Sequence, residues 1–251
     1  MKWIEMKKYF FLREVQFLKA ISHPLITKFI GFSLTDFVGE SRPVIIREYL
    51  PNNSLMEVLL NEKSCQLPRI WTDTKKLINI YGIAAGMSFL HSNNIIHGDL
   101  CPNNVLETYQ FYPKICDFHS LSFDKSTAMF IYQLVDNGRG TMFYNAPEVI
   151  SDSLFDYKSD FYSFGMTVYS IMTNKLPFDD LKDSHYFIMN EIIKGRRPEL
   201  DENVPERYRR LKNVQISNKL FNNSETMMNS SQKRSTKMNI MILFALLTRL
   251  K

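Results

Sequence analysis

Apolar residues recur at helical spacing near the start of the chain, at Phe11, Val15, Leu18 and Ile21. Steps of three and four put them on one face, and Ser22-His23-Pro24 closes that helix, because proline disfavours helical backbone in the residue before it. Two runs of strand character follow, 26–34 and 44–49, separated by a loop that holds Gly39. Pro51 to Ser54 reads as a turn, and the spacing of Ser54 and Glu57 predicts a capping box that opens a short helix. Leu77, Ile80, Ala84, Met87 and Leu90 then mark one long helix ending at 91–94. Short strands and loops carry the chain to about Ile150, and two further helical patterns occupy about 159–173 and 185–194. The order is one helix, short strands, then a mostly helical second half: an α+β plan without internal repeats.

Composition changes this picture little and charge changes it more. With 45% hydrophobic and 23% charged residues, the 251-residue chain has an ordinary globular balance and suits one large domain or two small lobes sharing a core. The net charge of +5 is unevenly placed: Pro205 to Lys251 carries ten basic and two acidic residues, which leaves residues 1–204 at −3. That basic tail is rich in Ser, Asn and Gln from Ser217 to Thr236, so it reads as solvated polar chain and no nucleic-acid partner is expected. Cys65, Cys101 and Cys116 lie far apart with no C-x-x-C pair, which excludes a disulfide scaffold or zinc ribbon and suits a reducing compartment. The longest apolar run, 240–247, falls far short of the ~20 residues a bilayer span needs. The first 30 residues alternate charged and apolar positions and do not read as a secretory signal, so a soluble, cytoplasmic protein is expected. Nine glycines are about half the usual ~7%, which leaves little for a glycine-rich phosphate loop.

Chemistry concentrates where the pattern is irregular. Residues 95–106 read I-I-H-G-D-L-C-P-N-N-V-L, with Asp99 and Asn104; C-D-F-H follows with Asp117, and N-A-P-E-V-I with Pro147. Two carboxylates and an amide on loops after apolar strands can hold Mg²⁺, which prefers oxygen ligands, while a nearby carboxylate accepts a hydroxyl proton. Singly each piece is weak, since a loop Asp is commonly a turn residue and Ala-Pro-Glu commonly just opens a helix.

In this order and spacing the segments resemble the protein kinase family, whose catalytic loop reads H-R-D-L-x-x-x-N, followed by D-F-G and A-P-E. The resemblance covers roughly residues 1–210. F-L-R-E-V (11–15) resembles the C-helix, I-I-R-E-Y-L (45–50) the strand entering the hinge, and S-D-F-Y-S-F-G (159–165) the start of the F-helix, where Asp160 would brace the catalytic-loop backbone. P-E-V-I, Y-S-F-G and L-P-F have the flavour of tyrosine-kinase-like serine/threonine kinases. The resemblance implies a two-lobe fold with an incomplete small N-lobe (1–50), a mainly α-helical C-lobe (51–212) and a polar basic tail (213–251). It implies ATP and Mg²⁺ as cofactors, both weakly bound, and a protein substrate or partner; it leaves the oligomeric state open. By the same resemblance Asp99 would accept or orient the substrate hydroxyl proton, Asn104 and Asp117 would hold Mg²⁺, and Glu48 and Leu50 would offer backbone groups to adenine. Leu106 would floor that pocket, Thr141 would contact the catalytic loop and the peptide acceptor, His97 would pack on Phe118, and Glu14 would pair with a strand lysine.

Several positions depart from the family pattern. No G-x-G-x-x-G occurs, and only thirteen residues precede Glu14, where three strands with turns would take at least ~25. Lys2 is the candidate strand lysine, with a solvated terminal residue as its plain alternative. Gly98 replaces the arginine before the catalytic aspartate, Cys101 the lysine two residues after it, and His119 the last glycine of D-F-G. Arg47 stands at the gatekeeper position, where it needs a carboxylate, with Glu14 the expected candidate, or must snorkel outward. The late C-W…D-P…R-P segment is missing, which leaves Glu148 without its usual arginine. Three readings follow: a serine/threonine kinase whose frame begins upstream of Met1, a pseudokinase acting as a binding or scaffold module, or a truncated product that folds poorly alone.

Overall fold

The computed structural model of the chain describes residues 11–12, 14–16, 18–66, 70–117, 141–181 and 183–199. Lys2, Phe118, His119 and the tail from 213, with its apolar run at 240–247, lie outside the described residues, as does the side chain of Thr141.

The first helix, α1, has helical backbone at 11–12, 14–16 and 18–20 and stops ahead of Pro24. Its Val15 is buried, and the Phe11 ring meets Phe32 edge-on at 6.0 Å, so the helix lies against the strand that follows. That strand, β1 (Phe29–Ser33), pairs antiparallel with β2 (Val44–Arg47), with an irregularity between Phe29 and Gly31. The connecting loop is closed by Asp36, whose Oδ1 accepts from Val38 N and Glu40 N, and it turns through Gly39 at φ +83°.

Both strands are shorter than the sequence pattern predicts. Ile26 leaves the first run to form a parallel bridge with Ile115 in another sheet; Thr27 N donates to Ile115 O at 2.9 Å and Ile115 N to Leu25 O at 2.8 Å. Its side chain is buried in the main core, so tertiary packing overrides the local strand signal. Beyond Arg47 the chain runs extended into the turn at Pro51, and Glu48 N donates to Lys28 O.

α2 (Leu55–Lys63) is capped by Ser54, whose side chain accepts from Glu57 N at 3.3 Å. The reciprocal half of the expected capping box is not made, because the Glu57 carboxylate takes Asn53 Nδ2 at 2.8 Å. α3 (Asp73–Ser92) starts on a Thr72 cap. It is tied to α2 through Glu62, which accepts from Trp71 Nε1 and pairs with Lys76. α3 packs on the second sheet, β3 (Val105–Glu107) antiparallel to β4 (Pro113–Ile115). Gly82 and Gly86 allow that approach: a Cβ at Gly82 would stand 2.6 Å from Pro113 Cγ, and one at Gly86 2.7 Å from Ile115 Cδ1.

The later helices follow the sequence pattern closely. α4 (Pro147–Asp152) has its proline at the first position, where the missing N–H is not needed. α5 (Tyr157–Thr173) opens on a full capping box of Asp156 and Ser159, and α6 (His185–Ile193) on a Ser184 cap. The main core gathers Leu55 from α2, Ile83 and Leu90 from α3, Val105 and Ile115 from β3 and β4, and Ile171 from α5, and a second cluster joins Cys101, Tyr144, Met166 and Ile192. By contrast β1 and β2 leave Ile30, Phe32 and Ile46 exposed. No helix among the described residues is long and apolar enough to cross a membrane.

Candidate active site

The loop between α3 and β3 carries Asp99 and is fixed from below by one carboxylate. Asp160, in the first turn of α5, is buried; its Oδ2 accepts from His97 N and lies 2.8 Å from His91 Nε2, and its Oδ1 accepts from Gly98 N at 2.8 Å. The bracing role expected of Asp160 is the geometry observed. Gly98 sits at φ +78°, left-handed backbone in which glycine carries no Cβ penalty. Asp99 is then held from its other side: Asn104 Nδ2 donates to Asp99 Oδ2 at 2.8 Å and to Asp99 O at 2.7 Å, and Asp99 N donates to His97 Nδ1 at 3.2 Å. Burial pushes the Asp99 carboxyl up to about 6; the Asn104 hydrogen bond opposes this and the charge of Asp117 adds to it.

Asp117 arrives from β4. Cys116 N donates to Asn104 O at 2.9 Å, which sets the exit of β4 beside the catalytic loop. Asp117 itself adopts φ +53°, rare for a residue with a side chain. Its Oδ1 forms an ion pair with Arg47 Nη2 at 2.6 Å. The sequence expectation of Glu14 as the Arg47 partner is therefore corrected: Arg47 ends β2, and the carboxylate across from it is the one that follows β4. Glu14 stands close enough to feel both. Its carboxyl is raised by burial and by Asp117, with Arg47 pulling the other way. The strand lysine expected for Glu14 lies outside the described residues.

The hinge-side residues come together through Lys114, which pairs with Leu106 across β3–β4 and reaches Glu48 Oε1 with its Nζ at 2.6 Å. Glu48 N is spent on Lys28 O; Leu50 is buried, and its carbonyl accepts from Asn53 N. Cys101 is fully buried in the second apolar cluster, and Cys116 is buried beside Asp117; burial raises both thiols, so they behave as small hydrophobes.

Sequence reasoning missed one participant, His91. It reads as the residue closing the long helix, yet it is buried, pairs with Asp160, and stands edge-on to Tyr157 and Phe161. Its signal was available: His91 follows Met87 by four and so continues the apolar face of α3.

A braced aspartate held by an asparagine five residues on, beside a second aspartate at a strand exit, is the arrangement the motif spacing implied. The sequence profile of the protein tyrosine and serine/threonine kinase family matches residues 2–228. The chain belongs to the protein kinase family. Among its curated relatives are a probable serine/threonine-protein kinase of Dictyostelium discoideum, 30% identical over 80% of this chain and 14% of that protein, and the receptor-like kinase LIP1 of Arabidopsis thaliana, 33% identical over 68% and 26%. The Arabidopsis serine/threonine-protein kinase CTR1 is 34% identical over 77% of this chain and 22% of its own length. The chain thus spans about a quarter or less of the length of each of these relatives.

The kinase family generally uses ATP and Mg²⁺, so the oxygen atoms of this domain can be tested against that ion. Asn104 fits: its Nδ2 is committed to Asp99, and Oδ1 is an oxygen of the kind Mg²⁺ takes. Asp117 does not fit as it stands: its Oδ1 is held by a guanidinium at 2.6 Å, and a divalent cation on Oδ2 would stand beside that like charge. Among the described residues no group of three or more His, Cys, Asp or Glu could hold a metal ion.

Proposed function

We propose that this kinase domain is laid out for transfer of the γ-phosphoryl group of ATP to a protein serine or threonine, and that in this chain the transfer is slow or lost. The observation that carries the reading is the Asp99–Asn104 pair on a loop braced by Asp160. Asp99 takes the hydroxyl proton as the oxygen attacks phosphorus, and the bond to the bridging β,γ-oxygen breaks with its electron pair leaving on ADP. Glu48 and Leu50 would meet the adenine edge and Leu106 its face, with Asn104 as a metal-type ligand and the Asp117 carboxylate already taken by Arg47. Supporting the slow-or-lost part, the position of the family's catalytic-loop lysine is a buried cysteine, Cys101, packed away from the site. Losing even two charge-assisted contacts of ~1.5–3 kcal/mol each weakens nucleotide binding by roughly two to four decades. The location proposed is the cytoplasm and the partner a protein.

A binding-module reading has one observation in its favour, the ion pair that occupies Asp117. A labelled-phosphate transfer assay beside a thermal-shift titration with Mg-ATP separates the readings, with Asp99→Asn and Asp117→Asn as controls. Trace or no transfer is expected. Robust transfer abolished by either substitution would establish an active enzyme instead, and a nucleotide-induced shift without transfer would establish the binding module.

A further inference from the structure

The Arg47–Asp117 pair joins two sheets that share no strand. Arg47 is the last residue of β2, Asp117 the second residue after β4, and the contact is only partly screened, with side-chain exposures of 29% and 46%. The charge of Asp117 helps to raise both Glu14 and Asp99, and among the described residues Arg47 is the cation that opposes it at Glu14. Asp117 is also the residue whose backbone is left-handed, a conformation that persists only where neighbouring contacts hold it.

We propose that Arg47 is a built-in counter-ion for Asp117, which holds the carboxylate in place of a divalent cation and so latches the site against metal. The proposal rests on the kinase reading only in taking Asp117 and Asn104 as the metal-type ligands. A tethered partner acts at an effective concentration on the order of millimolar or higher, whereas two protein oxygens bind a hard cation weakly. The guanidinium therefore wins the competition for Oδ1. Take its charge away, and the Asp117 carboxylate, on the strand exit tied to Asn104 by the Cys116 N to Asn104 O hydrogen bond, keeps a negative charge that nothing compensates, which a hard divalent ion can take.

The test is a Mn²⁺ titration of the full chain without nucleotide, with free Mn²⁺ read by electron paramagnetic resonance. Wild type should bind weakly. Arg47→Gln, close in length and neutral, should tighten binding by about tenfold or more, the factor carried by releasing one charge-assisted contact. Arg47→Thr, a strand-favouring residue, serves as an independent second variant should glutamine unfold the strand. Arg47→Gln with Asp117→Asn should fall back to the wild-type level. Neutral variants that bind no tighter than wild type, or a gain that survives loss of the Asp117 charge, overturn the latch. The labelled-phosphate assay on the same proteins tests the kinase reading separately: neutral variants with no Mn²⁺ gain sink the latch alone, while robust transfer by wild type overturns the slow-or-lost reading.

Discussion

The loop that carries Asp99 and the strand that carries Arg47 face the same few atoms, yet they are held very differently. The loop rests on a fully buried carboxylate that satisfies two backbone N–H groups and a histidine, above a continuous apolar core. The strand belongs to a two-stranded sheet that leaves Ile30, Phe32 and Ile46 exposed, and Arg47 at its end is held by a partly exposed ion pair. Geometry on the first side is over-determined; on the second it depends on few contacts. Changes of charge or shape should therefore cost stability on the loop side and alter ligand behaviour on the strand side.

The largest effect expected is from Asp160→Ala, which strands His91 and the N–H groups of His97 and Gly98 in a buried place. A loss of roughly 3–5 kcal/mol in urea denaturation is expected. A loss below about 1 kcal/mol would erase the contrast between the two sides. Next is Glu107, buried on β3 with neither carboxylate oxygen hydrogen-bonded among the described residues; burial pushes it up to about 8, with Asn79 and Lys75 opposing. The folded state keeps that proton to higher pH than the unfolded chain, so stability falls as pH rises from about 4.5 to about 8. Glu107→Gln should flatten this slope and be more stable than wild type at pH 9 by about 1–3 kcal/mol.

Gly86→Ala drives a methyl group into Ile115, and overpacking of that kind costs about 1–3 kcal/mol. The melting temperature should fall by several degrees, and Ile115→Val in the same chain should recover part of the loss. Asp99 gives a smaller, sharper test. Its raised carboxyl lets stability fall between pH 3.8 and about 6, and Asp99→Asn should remove that segment of the profile. Any residual phosphotransfer by wild type should rise through about pH 6 as Asp99 loses its proton. The smallest effect is Ile30→Lys on the exposed strand face, expected within about 0.5 kcal/mol in stability, with a lower aggregated fraction in light scattering.

The helices and the Asp99 loop were legible in the sequence because their signals are local. Apolar spacing placed α3, and the order of Asp99, Asn104 and Asp117 marked the candidate site. What escaped was set by contacts between distant segments. Strand-like residues at 26–28 were drawn to Ile115 by a bridge that no pattern within 26–34 announces. Glu57 looked like half a box until Asn53 competed for it. Arg47 needed an anion, as a half-buried charge does, but the choice between Glu14 and Asp117 depends on where β4 ends in space.

The bridge at Ile26 has a mechanical consequence. The chain passes between α1 and the small sheet through a segment pinned to Ile115 by two backbone hydrogen bonds, and it leaves that sheet again through Glu48, tethered to Lys114. The small sheet is thereby anchored to β4 at both its entry and its exit, and Arg47, next to one anchor, meets Asp117, two residues beyond the other, so the ion pair rivets the same seam a third time.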